Sequence, residues 1–160
     1  MKVWHYTTWD AFEEIGISGE IRTTSIGIEN DEKPAVWFST NPNWEETVRK
    51  ALQDPKAGKV TPALSRDGLL KAGIFPVRIE VSPKLPFLTW QEFKKNSGIS
   101  RNFAQKLEQN AKEWGANPDE WRALFFPVGH DHWFFIEVWD GQIWKVKYRP
   151  KPKILPYKEG

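Results

Sequence analysis

The chain has 160 residues, 39% hydrophobic and 28% charged, which fits one globular domain with a core of its own. It has no cysteine, which excludes disulfides, thiolate metal sites and a cysteine nucleophile. No apolar run is long enough to span a membrane and no signal-peptide pattern opens the chain, so a cytoplasmic setting and no membrane partner are expected. The net charge of +2 is uneven, with +5 on residues 141–160 and −3 on residues 1–140. Such a basic end is either a solvated tail or a contact for nucleic acid or an acidic protein. Ten Trp and ten Phe point to a core of few large side chains or to a pocket with flat walls.

In chain order, Val3 to Tyr6 reads as a strand, and Thr7 or Thr8 caps a helix over Trp9 to Ile15 that buries Trp9, Phe12 and Ile15 and stops at Gly16. Ile21 to Thr24 and Ala35 to Thr40 read as strands around a polar loop. Asn43 with Glu46 predicts a capped helix, with Trp44, Val48, Ala51 and Leu52 on its apolar face and the pairs Glu45–Arg49 and Glu46–Lys50 towards solvent. Asp54 to Asp67 reads as loop. Ile74 to Val81 alternates, with Val77, Ile79 and Val81 on one side and a polar face of Arg78 and Glu80 on the other.

Three helices are predicted next. Thr89 and Glu92 box the first, which ends near Gly98. Ser100 caps the second, with Phe103, Ala104, Leu107, Ala111 and Trp114 on one face and Gly115 at its end. Asn117, Pro118 and Glu120 open a third, through Leu124. Trp133 to Trp139 is a strand closed by Asp140-Gly141, and Gln142 to Lys147 is its hairpin partner. Alternation puts Trp133, Phe135, Glu137 and Trp139 on one face and Phe134, Ile136 and Val138 on the other. Glu137, one carboxylate among three aromatics, is either an exposed-edge residue or an acid beside a ligand. From Pro150 a basic, Pro-rich tail follows. Strand and helix do not alternate at parallel-sheet spacing, so the class is α+β, one domain over residues 1–149 with a tail over 150–160.

The chemistry-bearing clusters are few. No phosphate loop, dinucleotide glycine fingerprint or His-Glu-x-x-His helix is present. His5-Tyr6-Thr7 ends a strand next to a helix N-terminus, a place to hold a polar ligand, although a core strand with satisfied His and Tyr reads the same way. Ser39 and Thr40 are ordinary turn chemistry when taken alone. His130-Asp131-His132 follows a turn and has no fourth ligand with it, so a solvated loop is favoured over a metal site.

Together these pieces resemble the ADP-ribosyltransferase-like superfamily, in its His-containing branch, which includes DNA-modifying toxins. Trp4-His5-Tyr6-Thr7-Thr8 with Phe12-Glu13-Glu14-Ile15-Gly16 is similar to its first motif, Val36-Trp37-Phe38-Ser39-Thr40 to its second, and Glu137 within Phe135-Ile136-Glu137-Val138 to its third. The resemblance implies a split β-sheet core with short strands and flanking helices, here with a helical insertion over Leu88 to Leu124 before the C-terminal hairpin. It implies NAD as substrate and no metal. His5 would bond the nicotinamide-side ribose, Tyr6 and Thr7 would flank it, Ser39 would support the site, and Glu137 would be the catalytic carboxylate that bonds the ribose 2′-hydroxyl and stabilises the oxocarbenium-like centre. Arg22 and Arg78 would meet the pyrophosphate or face solvent. Phe135 stands where Arg-modifying members carry Glu or Gln, which leaves another nucleic-acid or protein acceptor, NAD hydrolysis or a lost activity open. An RNA 2′-phosphotransferase using Arg22, Arg78 and the tail, and a non-enzymatic protein-binding module, are the alternatives.

Overall fold

A computed structural model describes residues 1–25, 28–49 and 63–150, and the backbone of 53–54 and 59–60. In chain order the elements are β1 (Val3–Thr8), α1 (Trp9–Ser18), β2 (Glu20–Ile21), β3 (Val36–Ser39), β4 (Gln53–Asp54), β5 (Lys59–Val60), α2 (Arg66–Lys71), β6 (Pro76–Val81), β7 (Leu88–Thr89), α3 (Trp90–Asn96), α4 (Arg101–Trp114), β8 (Trp121–Leu124), β9 (Val128–Gly129), β10 (Trp133–Trp139) and β11 (Trp144–Tyr148). The class is α+β, as expected. Among the described residues seven strands form one antiparallel sheet in the order β11-β10-β6-β1-β3-β8-β7, while β2 pairs with β9 and β4 with β5 in short ribbons. The sheet is narrowest in its middle. There β1 and β3 meet through the pair Trp4–Ser39, whereas β1 and β6 pair along their whole length.

One face of the sheet packs on α1. Val3, Val77, Ile79, Val81, Phe38 and Ile136 meet Phe12 there, with Ile21 and Val128 from the β2–β9 ribbon. The opposite face carries two clusters. Trp4 and Tyr6 pack with Trp44 and Leu69 over the β1 half, and Trp90, Phe93, Trp121 and the small Ala104 and Ala111 pack α3 and α4 over the β3 half. The capped helices lie where their end signals place them. Thr89 and Glu92 form a capping box, Ser100 Oγ accepts from Phe103 N, and Gly115 ends α4 in the left-handed conformation.

Several local expectations are corrected. Helix α1 runs through Gly16 to Ser18 and stops at Gly19. The predicted helix after Asn43 is instead a set of turns up to Arg49: the Asn41 side chain accepts from Asn43 N and Trp44 N, and Val48 N closes on Glu45 O. Ala51, Leu52 and Lys50 of that prediction, and the tail over 151–160, lie outside the described residues. Within the stretch read as loop, Ser65 caps α2. The third predicted helix is one 3-10 turn, Pro118–Glu120, after which Trp121–Leu124 is strand β8, paired residue for residue with β3. The polar face of β6 is buried too, with Arg78 and Glu80 less than a tenth exposed beside the fully buried Val77, Ile79 and Val81. In β10 a bulge between Trp133 and Phe135 breaks the alternation. The extra residue turns Trp133 into the α1-side core, where its indole N–H donates to Val128 O, and leaves Phe134 exposed.

Candidate functional site

The narrow middle of the sheet opens into a cleft of about 360 Å³. His5 and Tyr6 of β1 form one side, Trp37, Phe38 and Ser39 of β3 the floor, and Phe103, Leu107 and Trp114 of α4 the far wall. Trp90, Trp121, Glu32 and Glu45 complete its lining.

His5 is fixed by one contact. Its Nδ1 lies 2.8 Å from the Trp37 carbonyl, and because a carbonyl only accepts, Nδ1 carries the proton. Burial pushes the His5 pKa below its ordinary value, against the opposing pull of the Trp37 carbonyl. The ring is therefore held neutral, with Nε2 an acceptor, on a residue that lines the cleft. Ser39 also lines it, with Oγ accepting from Asn41 N at 3.1 Å.

Tyr6 is shared between the cleft and a second cluster. Its hydroxyl donates to Asn41 O and accepts from Arg78 Nη1 at 3.5 Å, and its ring meets Trp44 edge-on at 5.2 Å. Burial raises its pKa to about 12, with Arg78 opposing the rise. Tyr6, Arg78 and Glu137 stand opposite one another on β1, β6 and β10, so one row crosses three strands. Arg78 Nε donates to Glu137 Oε1 at 2.9 Å, with the two side chains 11% and 13% exposed. Arg78 Nη1 also donates to Pro42 O, and the guanidinium lies 4.7 Å from the ring centroids of both Trp4 and Trp144.

Of the residues singled out from sequence, His5, Tyr6 and Ser39 come together in the cleft. Arg78 and Glu137 form the adjoining ion pair and do not line it. Thr7 pairs with Val77 and is buried away from the cleft, and the Arg22 side chain is 69% exposed, 3.5 Å from Glu20. His130 Nε2 lies 3.4 Å from Asp131 Oδ1 on an exposed turn. No family model, curated protein or solved structure matches this chain.

Two cleft carboxylates were missed by sequence reasoning. Glu45, expected on a solvated helix face, is 6% exposed, and its Oε2 accepts from Trp121 Nε1 at 3.0 Å, Thr47 Oγ1 at 2.6 Å and Thr47 N at 3.3 Å. Glu32 is also 6% exposed, its Oε1 accepting from Glu29 N at 3.3 Å. Burial raises its pKa, opposed by the Glu29 backbone N–H and reinforced by the Glu29 charge. Its loop is pinned to the helices. Glu29 accepts from Ser100 N and Oγ at 2.9 Å each, Lys33 N donates to Ser97 O, and Gly98, at φ +83°, lets the Asp31 carbonyl pass where a Cβ would stand. The one sequence signal for Glu45 was its place straight after the strand that carries Ser39, beside Trp44.

Proposed function

We propose that this chain is an NAD-consuming enzyme of the ADP-ribosyltransferase type, breaking the nicotinamide–ribose bond and passing ADP-ribose to a nucleic-acid or protein acceptor or to water. The observation that carries this reading is His5, a buried imidazole whose Nδ1 donates to the Trp37 carbonyl and leaves Nε2 as an acceptor, on the lining of an aromatic cleft at the β1–β3 junction. In this reading Nε2 accepts from a ribose hydroxyl, and the Trp rings give the nicotinamide a flat wall and exclude water. The C1′–N bond breaks with its electron pair going to the pyridinium nitrogen, nicotinamide leaves neutral, and the acceptor attacks C1′ and loses a proton. Glu137 is assigned the stabilisation of positive charge at C1′, Oε1 resting on Arg78 while Oε2 takes the ribose. A cytoplasmic setting belongs to the same reading.

The RNA 2′-phosphotransferase alternative asks Arg22 and Arg78 to hold phosphates. Arg78 is already engaged by Glu137 and Arg22 by Glu20. The test is nicotinamide release from NAD by wild type, His5→Ala and Glu137→Gln, with DNA, RNA or cell extract added in turn. Release lost in both variants is expected, and the addition that stimulates it identifies the acceptor class. No release, with no NAD-dependent rise in Tm, would overturn the reading in favour of a binding module.

A further inference from the structure

The cleft is an unusual electrostatic object. Glu32 and Glu45 are both buried in its lining, and among the described residues no Lys or Arg lines it. Two carboxylates in an aromatic hollow are costly unless a positive charge or a set of donors meets them. The protein supplies donors to one oxygen of each. Oε2 of Glu45 takes the Trp121 indole and both Thr47 groups, and Oε1 of Glu32 takes Glu29 N. Glu45 Oε1 and Glu32 Oε2 carry no such bond among the described residues. The neighbouring cation is committed elsewhere: Arg49 stacks 5.0 Å from the Trp114 centroid and lies 3.3 Å from Glu46. His5, whose Nδ1 donates to Trp37 O, and Tyr6, whose hydroxyl donates to Asn41 O, spend those protons on backbone carbonyls.

We propose that the cleft is a binding site for a planar organic cation of single-ring size, an N-alkylated pyridinium, selected for its charge by Glu45 and Glu32. The aromatic lining of Trp37, Trp90, Trp121 and Trp114 suits such a guest, since aromatic quadrupoles attract cations most strongly where water is excluded. The volume of about 360 Å³ lies at the small end of ligand cavities and matches one ring with its substituents rather than a whole dinucleotide. A phosphate-bearing group is repelled by the same two carboxylates and stays outside the cleft. The proposal deepens the NAD reading, on which it rests for the identity of the natural ligand, because oxidised nicotinamide is a pyridinium. Glu45 and Glu32 belong to none of the sequence motifs that suggested that reading.

The test compares two probes of nearly the same shape, 1-methylnicotinamide, a cation, and nicotinamide, which is neutral. Binding to the full chain is read from quenching of the cleft tryptophans. Wild type is expected to bind the cation about tenfold more tightly, the scale of a desolvated cation–π contact joined by a carboxylate. Glu45→Gln keeps an oxygen for Trp121 Nε1 and is expected to reduce the preference several-fold, with Glu32 and the rings supplying the remainder, while changing nicotinamide affinity less than that of the cation. Glu32→Gln is the second variant, should Glu45→Gln fail to fold. Equal affinities in wild type, binding of neither probe, or a preference undiminished in both variants would overturn the proposal. Cation preference without nicotinamide release from NAD retains this site and removes the enzyme reading, while release without cation preference does the reverse.

Discussion

Replacing Glu137 by alanine tests the buried ion pair before it tests chemistry. The substitution leaves the Arg78 guanidinium, among the buried groups of the sheet, without its carboxylate. Breaking a fully buried pair from one side costs about 3–5 kcal/mol. Here Arg78 keeps Tyr6, Pro42 O and the rings of Trp4 and Trp144, so the expected loss falls to about 2–3 kcal/mol. For a chain of this length that lowers Tm by about 5–10 °C. Glu137→Gln keeps an acceptor for Arg78 Nε and is expected to cost about 1 kcal/mol. Urea unfolding followed by Trp fluorescence measures both, and the Arg78→Met/Glu137→Ala double variant should be less destabilised than the sum of its singles, because neither charge is then left alone. A Glu137→Ala protein within about 0.5 kcal/mol of wild type would refute the reasoning, showing a pair that contributes nothing despite its burial. It follows that activity lost in Glu137→Ala is ambiguous, and that Glu137→Gln, assayed well below its Tm, is the informative variant.

Two other outcomes follow from the geometry. Tyr6 ionises at about 12 in the fold against 10.0 unfolded, so from pH 10 upward the folded state holds a proton that the unfolded chain releases. Stability should therefore fall as pH rises through that window, by about 3 kcal/mol in all, and the fall should be missing from Tyr6→Phe; equal slopes for the two proteins would contradict the assigned burial. Gly98→Ala places a Cβ against the Asp31 carbonyl at φ +83° and should cost at least about 1–2 kcal/mol, with weaker cation binding as the Glu32 loop loosens; a neutral change in chemical denaturation would show that the loop is not pinned there.

The legible parts of the fold were those whose signals are local. Thr89 with Glu92, and Ser100 with Gly115, bracket α3 and α4 because caps and a left-handed stop are settled within one turn of chain. The hairpin of β10 and β11 follows from its aromatic and β-branched run and Asp140-Gly141. What failed depended on partners distant in sequence. Asn117-Pro118 does start a helical turn, but Trp121–Leu124 then extends because β3 offers a full register of backbone partners and Trp121 finds Glu45. The i,i+4 charges after Asn43 suggested a helix until Thr47 and the Trp121 indole drew Glu45 inward. The bulge in β10 moved Trp133 to the other face, a displacement that alternation cannot anticipate. In the site, His5, Tyr6 and Ser39 were readable because they lie in the two aromatic strand segments β1 and β3, while Glu32 and Glu45 lay in segments that looked solvated.

Charge is handled in two different ways on either side of Tyr6. On the β6 and β10 side Arg78 and Glu137 cancel each other, and the pair needs nothing from outside. On the cleft side Glu32 and Glu45 are left with negative charge that no described lining residue offsets. In the proposed reading a ligand's positive charge would be felt at Glu45 and Glu32, and a charge that develops only during reaction would be left to Glu137, the carboxylate whose field Arg78 already restrains. The two roles separate experimentally. Glu45→Gln should weaken binding of NAD, whose oxidised nicotinamide ring is cationic, towards that of NADH, whose ring is neutral, and so raise the KM for NAD. Glu137→Gln should leave that discrimination intact and lower kcat. If both variants changed only KM, the row through Tyr6 would be a structural strut and the chemistry would belong to the cleft alone.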